Sequence, residues 1–407
     1  MERTSKKEIK SRMEKGMIPV GGNFDVVVVG GGFSGVAAAI SAARMGKRVL
    51  LLEKRIMPGG LATAGIITHY LAICDGHGRK IIRGLGEELL HTAIRYSYDT
   101  LSEEWRDGPD YIEHPSRRYE TWFSFPECVV ALEELLLSEG VEILYDSLVS
   151  SVCMKNGYCE AVVVEEKGGT IAYTAKAFVD ATGDATLFQR AGASTAQGDN
   201  LVSYGAHHMD VERCKKAVKS GKILDALEIR WYGDFPMPGE KRFPLKSVST
   251  SREATEFILQ GRSVYLERLK SEPQDSSRGT VLWPSMMMAR KVRRMEGEYT
   301  LTPNDVNRHM MDSVGCVDDW RTPGPIYEIP FRALYCKNIA NILACGRCIS
   351  SDGDAWEVTR VIPPAVLTGQ AAGTAAALMA ERGVEAAQLN VNDLQKELES
   401  AGVLIHF

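Results

Sequence analysis

The apolar pattern is most legible between residues 24 and 53, where it changes period twice. Phe24-Asp25-Val26-Val27-Val28-Val29 is β-branched and apolar at successive positions, so both of its faces call for burial. That predicts a strand at the centre of a parallel sheet covered by helices. After a glycine turn, residues 34–46 are rich in alanine and other short side chains, a helix able to lie close on a sheet. Arg48-Val49-Leu50-Leu51-Leu52-Glu53 then returns to a strand pattern. Together the three segments predict one βαβ unit.

Further along, residues 127–140 read as an amphipathic helix and Val141-Glu142-Ile143-Leu144-Tyr145 as a strand. The runs 161–165 and 170–173 flank Lys167-Gly168-Gly169 as the arms of a hairpin. Residues 62–125 are less regular, mixing His, Arg, Trp and Tyr among short helical pieces such as 86–95. From about 198 to 335 the chain holds most of its Pro, Trp and charge-mixed helices and shows no strand–helix alternation, which predicts a second lobe. Asn341-Ile342-Leu343-Ala344-Cys345 resumes the strand pattern and precedes a long small-residue helix running to about Arg382.

Length and composition agree with two lobes. The 407 residues exceed the roughly 250–300 at which single cores stop growing. A hydrophobic share of 44% and a charged share of 25% are ordinary for a globular chain. The net charge of -5 supplies no concentrated basic surface, so neither nucleic acid nor an anionic membrane is an expected partner. Nine cysteines, an odd number placed mostly singly, do not form a disulfide framework and predict a reducing, cytoplasmic location. Residues 1–15 are dense in Lys, Arg and Glu and lack the apolar stretch of a secretory signal, a solvated lead-in. Two uncharged stretches, 26–43 and 361–380, are long enough to consider as membrane spans. The first changes from strand-like to helix-like at its glycines, and the second opens with Pro363-Pro364 and carries Thr368 and Gln370. Both are expected to be buried elements.

Gly30-Gly31-Gly32-Phe33-Ser34-Gly35 satisfies G-x-G-x-x-G between a strand and a helix. In that context Gly30 allows the tight turn, Gly32 lets backbone approach a pyrophosphate, and Gly35 permits close helix–strand packing. The helix N-terminus offers free N–H groups to the anion, and Glu53 closes the second strand where a carboxylate can accept from an adenosine ribose. The assembly predicts a dinucleotide site, and NAD and FAD share it.

Two later stretches separate them. Ala177-Phe178-Val179-Asp180-Ala181-Thr182-Gly183-Asp184 is a strand ending in a tight turn, followed by a helix-like 185–191. The other is Leu343-Ala344-Cys345-Gly346-Arg347, then Arg360-Val361-Ile362-Pro363-Pro364, then Gly369-Gln370-Ala371-Ala372-Gly373, where a new helix N-terminus can face a flavin pyrimidine. These residues, with Gly59-Gly60-Leu61-Ala62-Thr63-Ala64-Gly65, Arg293-Arg294-Met295-Glu296-Gly297 and Ile329-Pro330-Phe331-Arg332, resemble the FAD-dependent oxidoreductases related to fumarate reductase flavoproteins and tRNA-uridine-modifying flavoproteins. The resemblance runs from about residue 18 onward.

It implies an α/β fold: a Rossmann-like, glutathione-reductase-type FAD-binding domain with a β-hairpin insertion and a second substrate lobe. The implied boundaries are a lead-in at 1–20, a discontinuous FAD-binding domain at 21–61, 126–197 and 336–407, an insertion over the cofactor at 62–125, and the substrate lobe at 198–335. It places the pyrophosphate at Gly30, Gly32, Phe33, Ser34 and Gly35, the ribose on Glu53 with Lys54 or Arg55, and the adenine at the backbone of Val149. Thr182, Gly183, Asp184, Gly346 and Arg347 would gather around the pyrophosphate and ribityl chain. Gly60, Leu61 and Thr63, with Arg360, Val361 and Ile362, would approach the isoalloxazine.

Catalytic candidates follow from proton chemistry. His69, His77, His207 and His208 are of the residue type that titrates near neutrality and suits a proton acceptor, and His69 lies just after the 59–65 segment. Arg360 can bind a substrate carboxylate, or be a loop arginine paired with Asp352, Asp354 or Glu357. The Cys345-Gly346-Arg347-Cys348 pair closes a strand rather than opening a helix, which favours a structural role over a redox dithiol. With no second pair, no metal is expected. The basic run Arg290, Lys291, Arg293, Arg294 reads as an ion-paired face. There is no second G-x-G-x-x-G after a strand, so no separate NAD domain is expected. The expected function is hydride transfer between flavin N5 and a small polar substrate, by dehydrogenation of CH–OH, CH–NH or CH–CH or the reverse, with an unassigned electron donor or acceptor. The alternatives are a flavoprotein component of a tRNA-modifying system and an electron-transfer subunit needing a partner. A homo-oligomer is compatible with either.

Overall fold

Val26, Val27 and Val28 are fully buried on both faces of the first strand, and that burial sets the architecture. A computed structural model of the chain describes residues 18–232 and 243–407. The expected lead-in, apart from its last residues, lies outside the described residues.

Along the chain, β1 (Val20–Val29) passes through the glycine turn into α1 (Phe33–Arg44) and β2 (Val49–Leu52). After α2 (Phe125–Ser138) come β3 (Glu142–Leu144), β4 (Leu148–Lys155), β5 (Tyr158–Glu166) and β6 (Gly169–Asp180). The second lobe holds β7 (Tyr204–Asp210), β8 (Glu228–Tyr232), α3 (Ser251–Ser271) and β9 (Arg278–Leu282). A hairpin of β10 (Ser313–Asp318) and β11 (Ile326–Pro330) precedes β12 (Ile342–Ala344), α4 (Gly353–Thr359) and α5 (Ile362–Arg382).

The parallel part of the main sheet runs β3-β2-β1-β6-β12. The strand segments expected at 170–173 and 177–180 are one strand, β6, which pairs along its length with β1 and divides its other edge. Residues 169–174 pair antiparallel with β5, and residues 178–180 pair parallel with β12. Val29, Leu52, Asp180 and Ala344 are in register at the carboxyl ends of their strands, the edge where open α/β sheets bind ligands. Helices α1 and α5 cross at backbone distance, because a Cβ on Gly369 would stand 2.2 Å from the Ser34 carbonyl oxygen. Only glycine at that crossing lets α5 seat its N-terminus beside α1.

Residues from two of the expected units pack into the main core. Tyr70, Ile73, Leu89, Trp105, Tyr119 and Phe123, from the expected insertion, share one core with Val26 to Val29. So do Met295, Leu301, Met310, Val314, Val317, Tyr327 and Ile329, from the expected substrate lobe. The lobe does alternate strand and helix: β8-β7-β9 form an antiparallel sheet backed by α3, which buries Phe257, Gly261 and Tyr265. The 21-residue α3 starts at a capping box between Thr250 and Glu253. Among the described residues no single helix is long and apolar enough to cross a membrane. The pair α4 and α5 has the composition for it, but bends by 83°, and α5 is buried from Pro363 to Ala380.

Candidate functional site

A cleft opens at the carboxyl ends of β1, β2 and β6, with about 1210 Å³ of non-protein space, part of it open to solvent. Its floor is the glycine turn. Gly30 takes φ +104, a conformation that side chains resist, and a Cβ on Gly35 would meet the Gly30 carbonyl oxygen at 1.8 Å. A Cβ on Gly32 would meet nothing within 4 Å, so that position faces the cleft itself. Glu53, 6% exposed, accepts from the N–H of Gly31 at 2.6 Å through Oε2 and from the N–H of Arg55 at 2.9 Å through Oε1. The carboxylate thereby locks the turn and forms part of the wall.

Across the cleft stand Ser147, Leu148 and Val149 at the start of β4, Thr182 and Gly183 after β6, and Arg347 after β12. Gly60, Leu61 and Ala62 extend it on one side, and Ile362 and Ala365 bring the N-terminus of α5 to its far end. Met286 comes from the segment joining the second lobe. Ser285 and Met286 donate their N–H groups to the Ala64 carbonyl at 2.8 and 3.0 Å. Arg55 Nη1 donates to the Ser285 carbonyl at 2.6 Å, so the second lobe roofs the 59–65 segment.

The lining residues fit a dinucleotide. The buried Nε atoms of Arg55 and Arg347 have no hydrogen-bond partner among the described residues. Buried donors left so are costly unless a ligand completes them, and two guanidinium groups beside a glycine turn suit a diphosphate. Arg347 lies against Gly183, where a Cβ would approach Nη2 to 2.5 Å, and it pairs with Asp184 at 3.3 Å.

Of the expected cofactor residues, Gly30, Gly32, Phe33, Ser34, Glu53, Lys54, Arg55, Gly60, Leu61, Val149, Thr182, Gly183, Arg347, Arg360 and Ile362 line this cleft. Gly35, Thr63, Asp184, Gly346 and Val361 stand behind it. The Thr63 hydroxyl is buried and donates to the Pro58 carbonyl at 2.6 Å, and the Gly346 N–H donates to Thr368 Oγ1 at 2.9 Å beneath Ser34. Val361 is the N-cap of α5. Arg190 and Met286 line the cleft without having been expected. Each comes from a segment whose approach depends on tertiary packing, and no local pattern marks either.

None of these four histidines lines the cleft. His69 stacks on Trp122 with ring centroids 4.4 Å apart and 7° between planes, its Nε2 3.7 Å from Glu120. Burial lowers its imidazole to about 4. His207 and His208 lie on β7, and burial lowers both to about 4 as well. Arg360 does line the cleft, with Nε and Nη2 on Glu357 Oε2 at 2.7 and 2.5 Å. Lys291 holds the other Glu357 oxygen at 2.7 Å. Burial pushes the Glu357 carboxyl up, but Arg360 and Lys291 outweigh it and hold it below the usual range.

The remaining basic run is also spent inside the protein. Arg293 donates to Gln189 at 2.6 Å, and Arg294 lies 3.5 Å from Asp352 and over the Trp356 ring. Cys345 and Cys348 are free, fully buried thiols, and burial pushes both well above the ordinary cysteine range. A thiol so buried is a poor nucleophile.

Comparison with known proteins agrees with this geometry. Over 80 residues the chain is 30% identical to the thioredoxin reductase of Ureaplasma parvum serovar 3, covering 20% of this chain and 26% of that protein. Over 273 residues it is 23% identical to the tRNA uridine 5-carboxymethylaminomethyl modification enzyme of Bdellovibrio bacteriovorus, covering 63% of this chain and 39% of that protein. The chain thus spans well under two thirds of either relative. Among solved structures, p-nitrophenol 4-monooxygenase from Pseudomonas putida DLL-E4 shares the fold with a TM-score of 0.52 and 13% identity, over 93% of this chain and 84% of that one. The FAD dependent oxidoreductase family matches residues 25–225 and 248–398. With most of its length inside that match, the chain belongs to the FAD dependent oxidoreductase family, enzymes whose redox cofactor is FAD.

Proposed function

We propose that this cleft serves hydride transfer between FAD and a small polar organic substrate admitted beside the lobe that carries Met286. The transfer is dehydrogenation of a CH–OH, CH–NH or CH–CH unit, or the reverse. The observation that carries the reading is the convergence of the Gly30 turn, Glu53, Val149, Gly183 and the N-terminus of α5 on one continuous cleft roofed by the second lobe. FAD, when bound, supplies two-electron chemistry at its ring system.

The chain's own groups hold and polarise. The glycine turn and α1 N-terminus offer backbone N–H groups to the diphosphate, with the Arg55 and Arg347 guanidinium groups balancing its charge. Glu53 would serve the ribose from the position in which it braces Gly31. At the other end, the positive end of the α5 dipole favours negative charge near Ile362 and Ala365. Arg360, kept as a cation beside Glu357, holds and orients an anionic or carbonyl group and cannot take up a proton. With the basic run paired internally, a small molecule rather than nucleic acid is the proposed partner.

An anaerobic visible spectrum of the purified protein, titrated with polar alcohols, amines, hydroxy acids and NAD(P)H, tests the reading. Flavin bands bleached by one organic compound support it and name the donor class. Bleaching by NAD(P)H alone reverses the direction, making the organic substrate the acceptor. Absence of flavin bands, with none gained on adding FAD, removes the reading.

A further inference from the structure

Away from the cofactor cleft, His309, Glu328 and His406 present three ligand atoms within 4.8 Å of one another. Glu328, on β11, is 1% exposed, and its Oε2 accepts from the Met310 N–H at 2.7 Å and from His406 Nδ1 at 2.9 Å. His309 Nδ1 stands 3.4 Å from the same oxygen. Among the described residues no Lys or Arg pairs with Glu328, so two imidazoles are the cationic or metal-bearing groups that can balance this buried carboxylate.

We infer that His309, Glu328 and His406 form a binding site for a divalent transition ion, with Zn²⁺ the best fit, which clips the 403–406 segment to the β10–β11 hairpin. Two imidazole nitrogens and one carboxylate oxygen are a common zinc donor set, and tetrahedral bonds of about 2.0–2.2 Å place ligand atoms roughly 3.3–3.5 Å apart. The His309 separation already matches, and the His406 hydrogen bond opens by a few tenths of an ångström to admit the ion.

Both histidine-bearing segments are held by contacts outside the cluster. The Cys316 N–H donates to the Leu404 carbonyl at 3.0 Å and the Ser313 hydroxyl to the Ile405 carbonyl at 2.6 Å, with Val403 and Ile405 buried. On the other side, Asn307 exchanges hydrogen bonds with Ile326, N–H to carbonyl at 2.7 Å and side chain to N–H at 3.0 Å. The donors are therefore pre-positioned. The half-exposed histidines leave the remaining coordination position to water, and neither Nε2 has a protein partner among the described residues. Ligating histidines usually have such a partner, so affinity should fall below that of closed structural sites.

Equilibrium dialysis of the chelator-treated, flavin-loaded protein against ZnCl₂, read by elemental analysis with the visible spectrum recorded in parallel, tests the site. The expected result is one zinc per chain, affinity lowered about tenfold or more in His309→Ala and in His406→Ala, as loss of a direct ligand requires, and an unchanged flavin spectrum. His309 is 60% exposed, so its alanine variant should fold. Failure to retain zinc, or equal retention by the wild type and both variants, overturns the inference.

Discussion

Glu53 Oε2 and the backbone N–H of Gly31 stand 2.6 Å apart, tying the end of β2 to the turn that ends β1. The other oxygen accepts from Arg55 N–H, so the carboxylate meets two backbone donors. Glu53→Gln keeps the shape but replaces one acceptor with an NH₂ group, setting donor against donor. With charged hydrogen bonds worth about 1.5–3 kcal/mol, FAD affinity should drop roughly 10- to 100-fold. Flavin-fluorescence titration of the stripped protein measures this, and an unchanged dissociation constant would remove Glu53 from the cofactor site.

Gly32 and Gly35 separate binding from folding. A methyl group at Gly32 meets no protein atom within 4 Å, whereas one at Gly35 would overlap the Gly30 carbonyl oxygen. Gly32→Ala should therefore leave the stripped protein's stability within about 1 kcal/mol while abolishing FAD uptake. Gly35→Ala should destabilise it by about 3 kcal/mol or more through overpacking. Denaturant unfolding of both stripped variants, alongside FAD titration, distinguishes these outcomes. Loss of stability in Gly32→Ala would show that the turn tolerates no side chain for reasons of packing alone.

The central βαβ unit was legible because its information is local: Val26 to Val29 and Leu50 to Leu52 are buried on both faces, and a continuous apolar run says so. The glycine turn that floors the cleft was legible because glycines at fixed offsets have few other uses. What the chain hid depends on pairing across distance. β6 reads as two segments because its two halves face different neighbours, β5 and β12. Arg190 and Met286 enter the cleft from segments with no pattern of their own. The histidines were singled out for titrating near neutrality, and it is burial, invisible in residue type, that takes His69, His207 and His208 down to about 4.

Cys348 donates its thiol to the Cys345 carbonyl at 3.2 Å, and both side chains are fully buried. With thiols raised well above the ordinary range by burial, neither should be alkylated by iodoacetamide at pH 8 in the native protein, as peptide mapping would show. Cys348→Ala should lower stability by about 1–2 kcal/mol through the small cavity it leaves. It should leave the rate of flavin reduction unchanged, and a collapse of that rate in a folded variant would restore a redox role to the pair.

His207 is 1% exposed, and neither ring nitrogen has a hydrogen-bond partner among the described residues. Burial lowers its imidazole from 6.5 in the unfolded chain to about 4 in the fold. Between those values the unfolded state binds the extra proton, so stability rises with pH across the window. Its contribution is complete above about 6.5 and is lost progressively as pH falls toward 4, at a cost approaching about 3 kcal/mol. His69 and His208 shift the same way, so the whole protein should lose stability steeply there. His207→Phe keeps a ring in the site and removes the titration, so its unfolding free energy should fall less between pH 6.5 and 4 than that of the wild type. Urea unfolding at half-unit pH intervals reads the difference, and parallel curves would mean that His207 is protonated in the folded lobe without penalty.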